Sequence, residues 1–250
     1  MHEILPTEHV AREGFGRRSL LRAVGALAAT AAIGLPGSGA FAQTSGAAPK
    51  PAVPYDIKPL PFDPQKIKGL SEKLLVSHYE NNYSRAVKRL NAITAQLASL
   101  DFASAPVFQV NGLKREELIA MNSMILHEVY FDGLGGEGDP TGSLAEAIKR
   151  DFGSIEHWRT EFAGIGKAEG GGSGWTILSY SPRDKRLVNG WAADHTTNVA
   201  GGRPILVLDM YEHAYHMDYG ARAAAYVDAF MKVIRWDTAA KRFEQYSREA

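Results

Sequence analysis

Along the folded stretch of this chain the hydrophobic period changes twice, and the first change limits the architecture. Ahead of the cluster Gly170-Gly171-Gly172-Ser173-Gly174, apolar residues recur at helical spacing. Behind it come short β-rich runs, Trp175 to Tyr180, Arg186 to Trp191 and Ile205 to Leu208. Helical spacing resumes from Tyr215 through Ile234. Pro182-Arg183-Asp184 between the first two runs predicts a hairpin turn. The order is α+β: an N-terminal helical hairpin, then an α/β part with a small antiparallel sheet flanked by helices. The glycine cluster lacks the strand-then-helix or Lys-Ser setting of a phosphate cradle and reads as a turn.

The helical half has its own punctuation. From Ile67 to Leu97 one i, i+4 row contains Leu70, Leu74, His78, Asn82 and Ala86, so His78 shares a face with core leucines. A second pattern runs from about Lys114 to Phe131 and stacks Ser123, His127 and Phe131. Glycines and Pro140 end it. Ser143-Leu144-Ala145-Glu146 has the form of a capping box for a helix ending at Gly153, and Ser154 is the expected cap of the next.

The first residues read as an address. Gly16-Arg17-Arg18-Ser19-Leu20-Leu21-Arg22, a mild apolar run from Ala23 to Leu35, and Ala40-Phe41-Ala42 resemble a twin-arginine export signal with its cleavage pattern. The apolar run is too short and too rich in Ala and Gly for a membrane anchor. Export to the periplasm is the expectation from residues 1–42. Residues 43–61, rich in Pro, Ala, Ser and Gly, read as a linker, with folded structure starting near Tyr55. The expected domains are 62–140, helical, and 141–250, α/β.

Composition narrows the chemistry. Lys plus Arg and Asp plus Glu both number 28, and a cut after Ala42 leaves 24 against 25. No charge excess points to nucleic acid or an anionic membrane, so a small substrate is the expected partner. Cysteine is absent, so imidazole and carboxylate must hold any metal. Asp209-Met210-Tyr211-Glu212-His213 begins where the apolar run Ile205 to Leu208 ends, which brings a carboxylate and an imidazole out together at a buried strand terminus. Alone, that pair reads more commonly as a structural salt bridge, and His78 or His127 alone reads more often as a core histidine.

Taken in order, Leu144-Ala145-Glu146-Ala147-Ile148-Lys149-Arg150-Asp151-Phe152-Gly153-Ser154, Gly172-Ser173-Gly174-Trp175 and Asp209-Met210-Tyr211-Glu212-His213-Ala214-Tyr215 resemble successive landmarks of the iron/manganese superoxide dismutases. The likeness runs from about Tyr55 to Tyr246. It implies one Fe or Mn ion per subunit, held by His78, His127, Asp209 and His213, and the conversion of superoxide to oxygen and hydrogen peroxide. It also implies that His195 hydrogen-bonds metal-bound solvent, because the alternative Gln position is Ser123, too short for the task. Glu212 corresponds to a residue that reaches the metal histidine of the partner subunit, which implies a homodimer.

The chain departs from that pattern around the cavity. Asn82 and Ala86 stand where a His and a Tyr usually guard the substrate path, and Tyr211, Phe131 and Ile177 replace tryptophans, whereas Trp175 remains. His216 replaces a Tyr, and the expectation is that Asn82 meets His216 of the partner subunit. These changes leave two alternatives open: a metal-binding protein of the same fold without efficient turnover, or a metal-redox enzyme for another small oxidant. A positive funnel for the substrate has no assigned Lys or Arg at this point.

Overall fold

Ser71 opens the first helix by accepting the Leu74 amide on its Oγ at 3.1 Å. In the computed structural model, which describes residues 53–250, helix α1 covers Glu72–His78 and passes through a π-helical turn at Tyr79–Tyr83 into α2, Ser84–Ser99. The export motif and the cut after Ala42 lie outside the described residues. The wider π turn falls directly after His78 and inside the expected Leu70-to-Ala86 row, a position such turns often take beside functional groups. A 3-10 turn at Pro64–Lys66 precedes α1. Ahead of it the chain is tied down at Tyr55, whose amide and carbonyl both pair with the Asn91 side chain, at 2.8 and 2.9 Å.

Helix α3, Val107–Asp132, runs back along α2 and completes the hairpin. It starts seven residues before the expected Lys114. Val107 and Phe108 are apolar yet solvent-exposed, so the first two turns carry no core-facing period to read. Helices α4, Gly142–Phe152, and α5, Ile155–Ala168, follow. The expected capping box is corrected here: Thr141 precedes the helix, and Ser143 lies within it and donates to Glu244 at 3.2 Å. Gly153 (φ +86°) ends α4, and Ser154 Oγ caps α5 by accepting the His157 amide.

Strands β1, Trp175–Ser181, β2, Arg186–Ala192, and β3, Arg203–Asp209, form an antiparallel sheet in the order β2-β1-β3. The hairpin at Pro182-Arg183-Asp184 joins β1 to β2 as expected. Every residue of the central β1 is buried, and its first residue, Trp175, is opposite Asp209, the last of β3. The register thus delivers both side chains to the same end of the sheet. After Asp209 a 3-10 turn, Glu212–Ala214, leads into α6, His216–Tyr219, then α7, Ala223–Phe230, and α8, Trp236–Arg248. The single helical stretch expected from Tyr215 to Ile234 is broken at Gly220 (φ +53°). Helix α8, whose solvent face carries most of its charges, has no counterpart in the sequence reading.

One hydrophobic cluster joins the helical and α/β parts: Leu74, Leu75 and Leu90 meet Tyr130, Trp158, Phe162, Leu206 and Phe230, all fully buried. Each such side chain contributes roughly 1.5–3 kcal/mol by leaving water. That core holds α1, α3 and β3 against one another, and these are the elements that carry the candidate ligands. No helix among the described residues is long and apolar enough to cross a membrane.

Candidate metal centre

His78 ends α1, His127 is on the last turns of α3, Asp209 ends β3, and His213 is in the short turn after it. One ligand atom from each lies within 4.8 Å of all the others. Asp209 Oδ2 is the hub: Nε2 of His78, His213 and His127 approach it at 3.1, 3.2 and 3.5 Å. Donors about 2.1 Å from a central cation and 90–120° apart stand about 3.0–3.6 Å from one another. The four side chains therefore have the spacing of a coordination shell.

Hydrogen bonds on the far sides aim these donors. Asp209 Oδ1 accepts the Tyr211 amide at 2.8 Å, leaving Oδ2 for the centre. His127 Nδ1 donates to the Ser123 carbonyl at 2.7 Å, which places the lone pair on Nε2. That Nε2 is buried with no hydrogen-bond partner among the described residues. An orphaned, inward-pointing imidazole nitrogen is what a cation would satisfy.

The protonation states agree. Burial would raise the Asp209 carboxyl, but the charge of His213 and hydrogen bonds from His213 and His78 hold it well below the usual carboxylate range. Burial pushes His78 down against the pull of Asp209, and burial followed by the charge of His78 takes His127 down to about 3. His78 and His127, whose charged forms burial disfavours, and the ionised Asp209 carboxylate form with His213 a nitrogen and oxygen donor set for a di- or trivalent Fe or Mn ion.

Around this ring is an aromatic wall. Phe131 is 5.0 Å from His78, Trp175 stands edge-on to His127 at 5.1 Å, and Tyr211 stacks on His213 at 5.2 Å. His195 lies between Tyr211 and Trp175: it stacks on the first at 4.8 Å and accepts from the indole Nε1 of the second at 3.0 Å. Its ring centre is 6.3 Å from that of His127, beside the ligand ring and outside it. Burial lowers the His195 pKa, so the ring is neutral.

A cupriavidus protein, from Cupriavidus metallidurans and named an iron superoxide dismutase, is 68% identical over 195 residues, 78% of this chain and 99% of the relative. This chain belongs to the iron/manganese superoxide dismutase family. The model of that family's C-terminal domain matches residues 140–242. An iron superoxide dismutase of Aquifex pyrophilus is 36% identical across 73% of this chain and 88% of its own. A manganese superoxide dismutase of Halobacterium salinarum is 34% identical across 76% and 96%. Both metals thus occur in names among the relatives.

Within this superoxide dismutase fold the remaining candidates are more scattered. Asn82 and Ala86 line a cleft that reaches His127, His195 and His213. Glu212 and His216 are exposed, and Asn82 and His216 make no hydrogen bond to each other within the described chain. Two residues escaped the sequence reading. Tyr226 donates its hydroxyl to the Asp209 carbonyl at 2.8 Å, and Tyr130 stands beside it, 3.2 Å from oxygen to oxygen and 5.2 Å from the His78 ring. Tyr130 could have been found as the residue three beyond His127 on the same helix. Tyr226 carries no local signal, because its contact spans 17 residues of chain.

Proposed function

We propose that this protein is a superoxide dismutase that converts superoxide to oxygen and hydrogen peroxide at one Fe or Mn ion per subunit. The observation that carries the reading is the ring of His78, His127, Asp209 and His213, with an orphaned imidazole nitrogen turned inward. The 68% identical relative named for iron favours iron over manganese. When bound, the ion supplies one-electron chemistry, taking an electron from one superoxide and giving one to a second, with two protons. The protein holds the donors at fixed spacing, excludes bulk water with Phe131, Trp175 and Tyr211, and offers a proton at His195. Because Trp175 donates to Nδ1 of His195, the neutral ring carries its proton on Nε2 and can donate toward the centre.

We further propose a homodimer and export. Among the described residues the exposed Glu212 carboxylate has no hydrogen-bond partner, and Nδ1 of His213 has none either. A two-fold axis would let each satisfy the other's copy, with Glu212 accepting from His213 of the partner subunit. Asn82 and His216 of the partner subunit would meet at the same face. Arg17-Arg18 and Ala40-Phe41-Ala42 support twin-arginine export to the periplasm, a route for proteins folded around their metal.

Separate reconstitution with Fe and with Mn, followed by elemental analysis and a superoxide-consumption assay, tests the function. Stoichiometric iron with rapid superoxide loss is the expected result. Metal-loaded protein that leaves superoxide untouched overturns it in favour of a binding protein, and preferential consumption of a peroxide or another oxidant overturns it in favour of a different redox enzyme.

A further inference from the structure

Helices α2 and α3 leave a cleft of about 240 Å³ whose floor is His127, His195 and His213. Its wall carries two guanidinium groups, Arg85 and Arg89, and no carboxylate. They are four residues apart on α2, so they stand on one helical face. Arg89 is engaged in an ion pair with Glu116 of α3, whereas Arg85 forms no ion pair among the described residues. Arg89 is nevertheless near enough for its charge, after burial and that of His213, to help hold down the His195 pKa. The residues beside them, Asn82 and Ala86, carry no charge, and Ala86 leaves the wall short where a long side chain would have filled it.

We propose that Arg85 is the anion-capture residue of this cleft: with Arg89 behind it, it forms an outer docking site for a small monovalent inorganic anion on its way to the four-residue centre. The inference rests on the superoxide reading for the identity of the natural anion. A protein with balanced total charge gains no long-range attraction for an anion, so local excess must supply it. Two positive groups on a concave wall concentrate an anion more than the same charges on an open surface, because the low-dielectric walls focus the field. Arg85 suits capture and release because it is exposed and unpaired, and its flexible stem can swing with the anion. Arg89, tethered to Glu116, sets the fixed background. The site also lies where a competing anion such as chloride would lodge.

The test uses Arg85→Gln and Arg85→Lys in the metal-loaded protein. Between about 10 and 150 mM salt the screening length falls from roughly 30 to 8 Å, so a capture role shows itself as a salt slope. Arg85→Gln is expected to lower kcat/KM for superoxide about two- to fivefold at low salt. It should leave kcat unchanged and converge on the parent at high salt, and Arg85→Lys should retain most of the parent value. A second readout needs no turnover: in the zinc-loaded, redox-inert protein, line broadening of chloride-35 resonances should fall in Arg85→Gln and persist in Arg85→Lys. Unchanged salt slope and unchanged chloride broadening in Arg85→Gln overturn the proposal, as does an Arg85→Lys variant as impaired as Arg85→Gln. If the parent consumes no superoxide, the functional reading fails by itself, and the chloride measurement still decides the anion site.

Discussion

The indole nitrogen of Trp175 donates to Nδ1 of His195 at 3.0 Å, and this one bond determines which nitrogen of His195 carries the proton. Trp175 starts β1 opposite Asp209, so the strand pair that places a ligand also sets the tautomer of the ring beside it. Stacking on Tyr211 and a hydrogen bond from the Asn122 side chain to the His195 carbonyl keep the ring and its backbone in place. Trp175→Phe keeps the aromatic wall and removes the donor. Full metal content is expected, with a shifted midpoint potential and pH profile, and His195→Ala should shift both further while also keeping its metal. A Trp175→Phe protein with the parent potential and profile, or a His195→Ala protein as depleted as a ligand variant, would contradict this assignment.

Ligand removal should behave differently. His127→Ala takes away a buried imidazole whose hydrogen bonds among the described residues are to the Ser123 carbonyl and hydroxyl, and Asp209→Ala takes away the oxygen around which three imidazoles gather. Each should weaken metal binding by more than the roughly 10- to 100-fold that outer hydrogen-bond partners cost. Elemental analysis after dialysis checks it, and stoichiometric metal in both variants rules the centre out.

Glu169 gives a pH dependence with a definite sign. Its carboxyl is buried below Gly174, accepts the Thr176 hydroxyl at 3.0 Å, and is raised by burial from 4.5 to about 7. Folded protein therefore binds this proton more tightly than unfolded protein, so stability falls as pH rises from about 4.5 to 7 and stays reduced above that. The loss is on the order of 2–3 kcal/mol. Glu169→Gln cannot ionise and should gain on the parent by that margin at pH 8 relative to pH 5, read from urea midpoints. An equal difference at both pH values would show that ionisation of Glu169 is not coupled to folding.

The unpaired Glu212 carboxylate bears on assembly. In the proposed dimer, Glu212→Ala should weaken association about tenfold or more, since truncating one partner of a buried charged hydrogen bond leaves the other unsatisfied. Sedimentation of the metal-loaded protein over micromolar concentrations measures this. A parent protein that sediments as a monomer, or a variant with unchanged dimer affinity, would remove Glu212 from the interface.

How much of this was legible in the chain follows from the range of each interaction. The change of period at the glycine cluster, the Gly153 stop and the Ser154 cap are local, and all three were readable because backbone conformation there depends on neighbours within a few residues. Helix α8 and the first two turns of α3 were not, since a helix with exposed apolar residues or a mostly charged face has little inward period to display. The four candidate ligands were legible by resemblance, because their residue types are dictated by chemistry that tolerates few alternatives. What only the tertiary structure decided is where their unshared nitrogens point. His78 and Asp209 are 131 residues apart, and only the packing of α1 and α3 on β3 brings Nε2 and Oδ2 within 3.1 Å. The same packing selected Tyr226 as the donor behind Asp209 and put Arg85 at the mouth of the cleft, because side-chain direction at long range is set by the shared core and not by spacing along the chain.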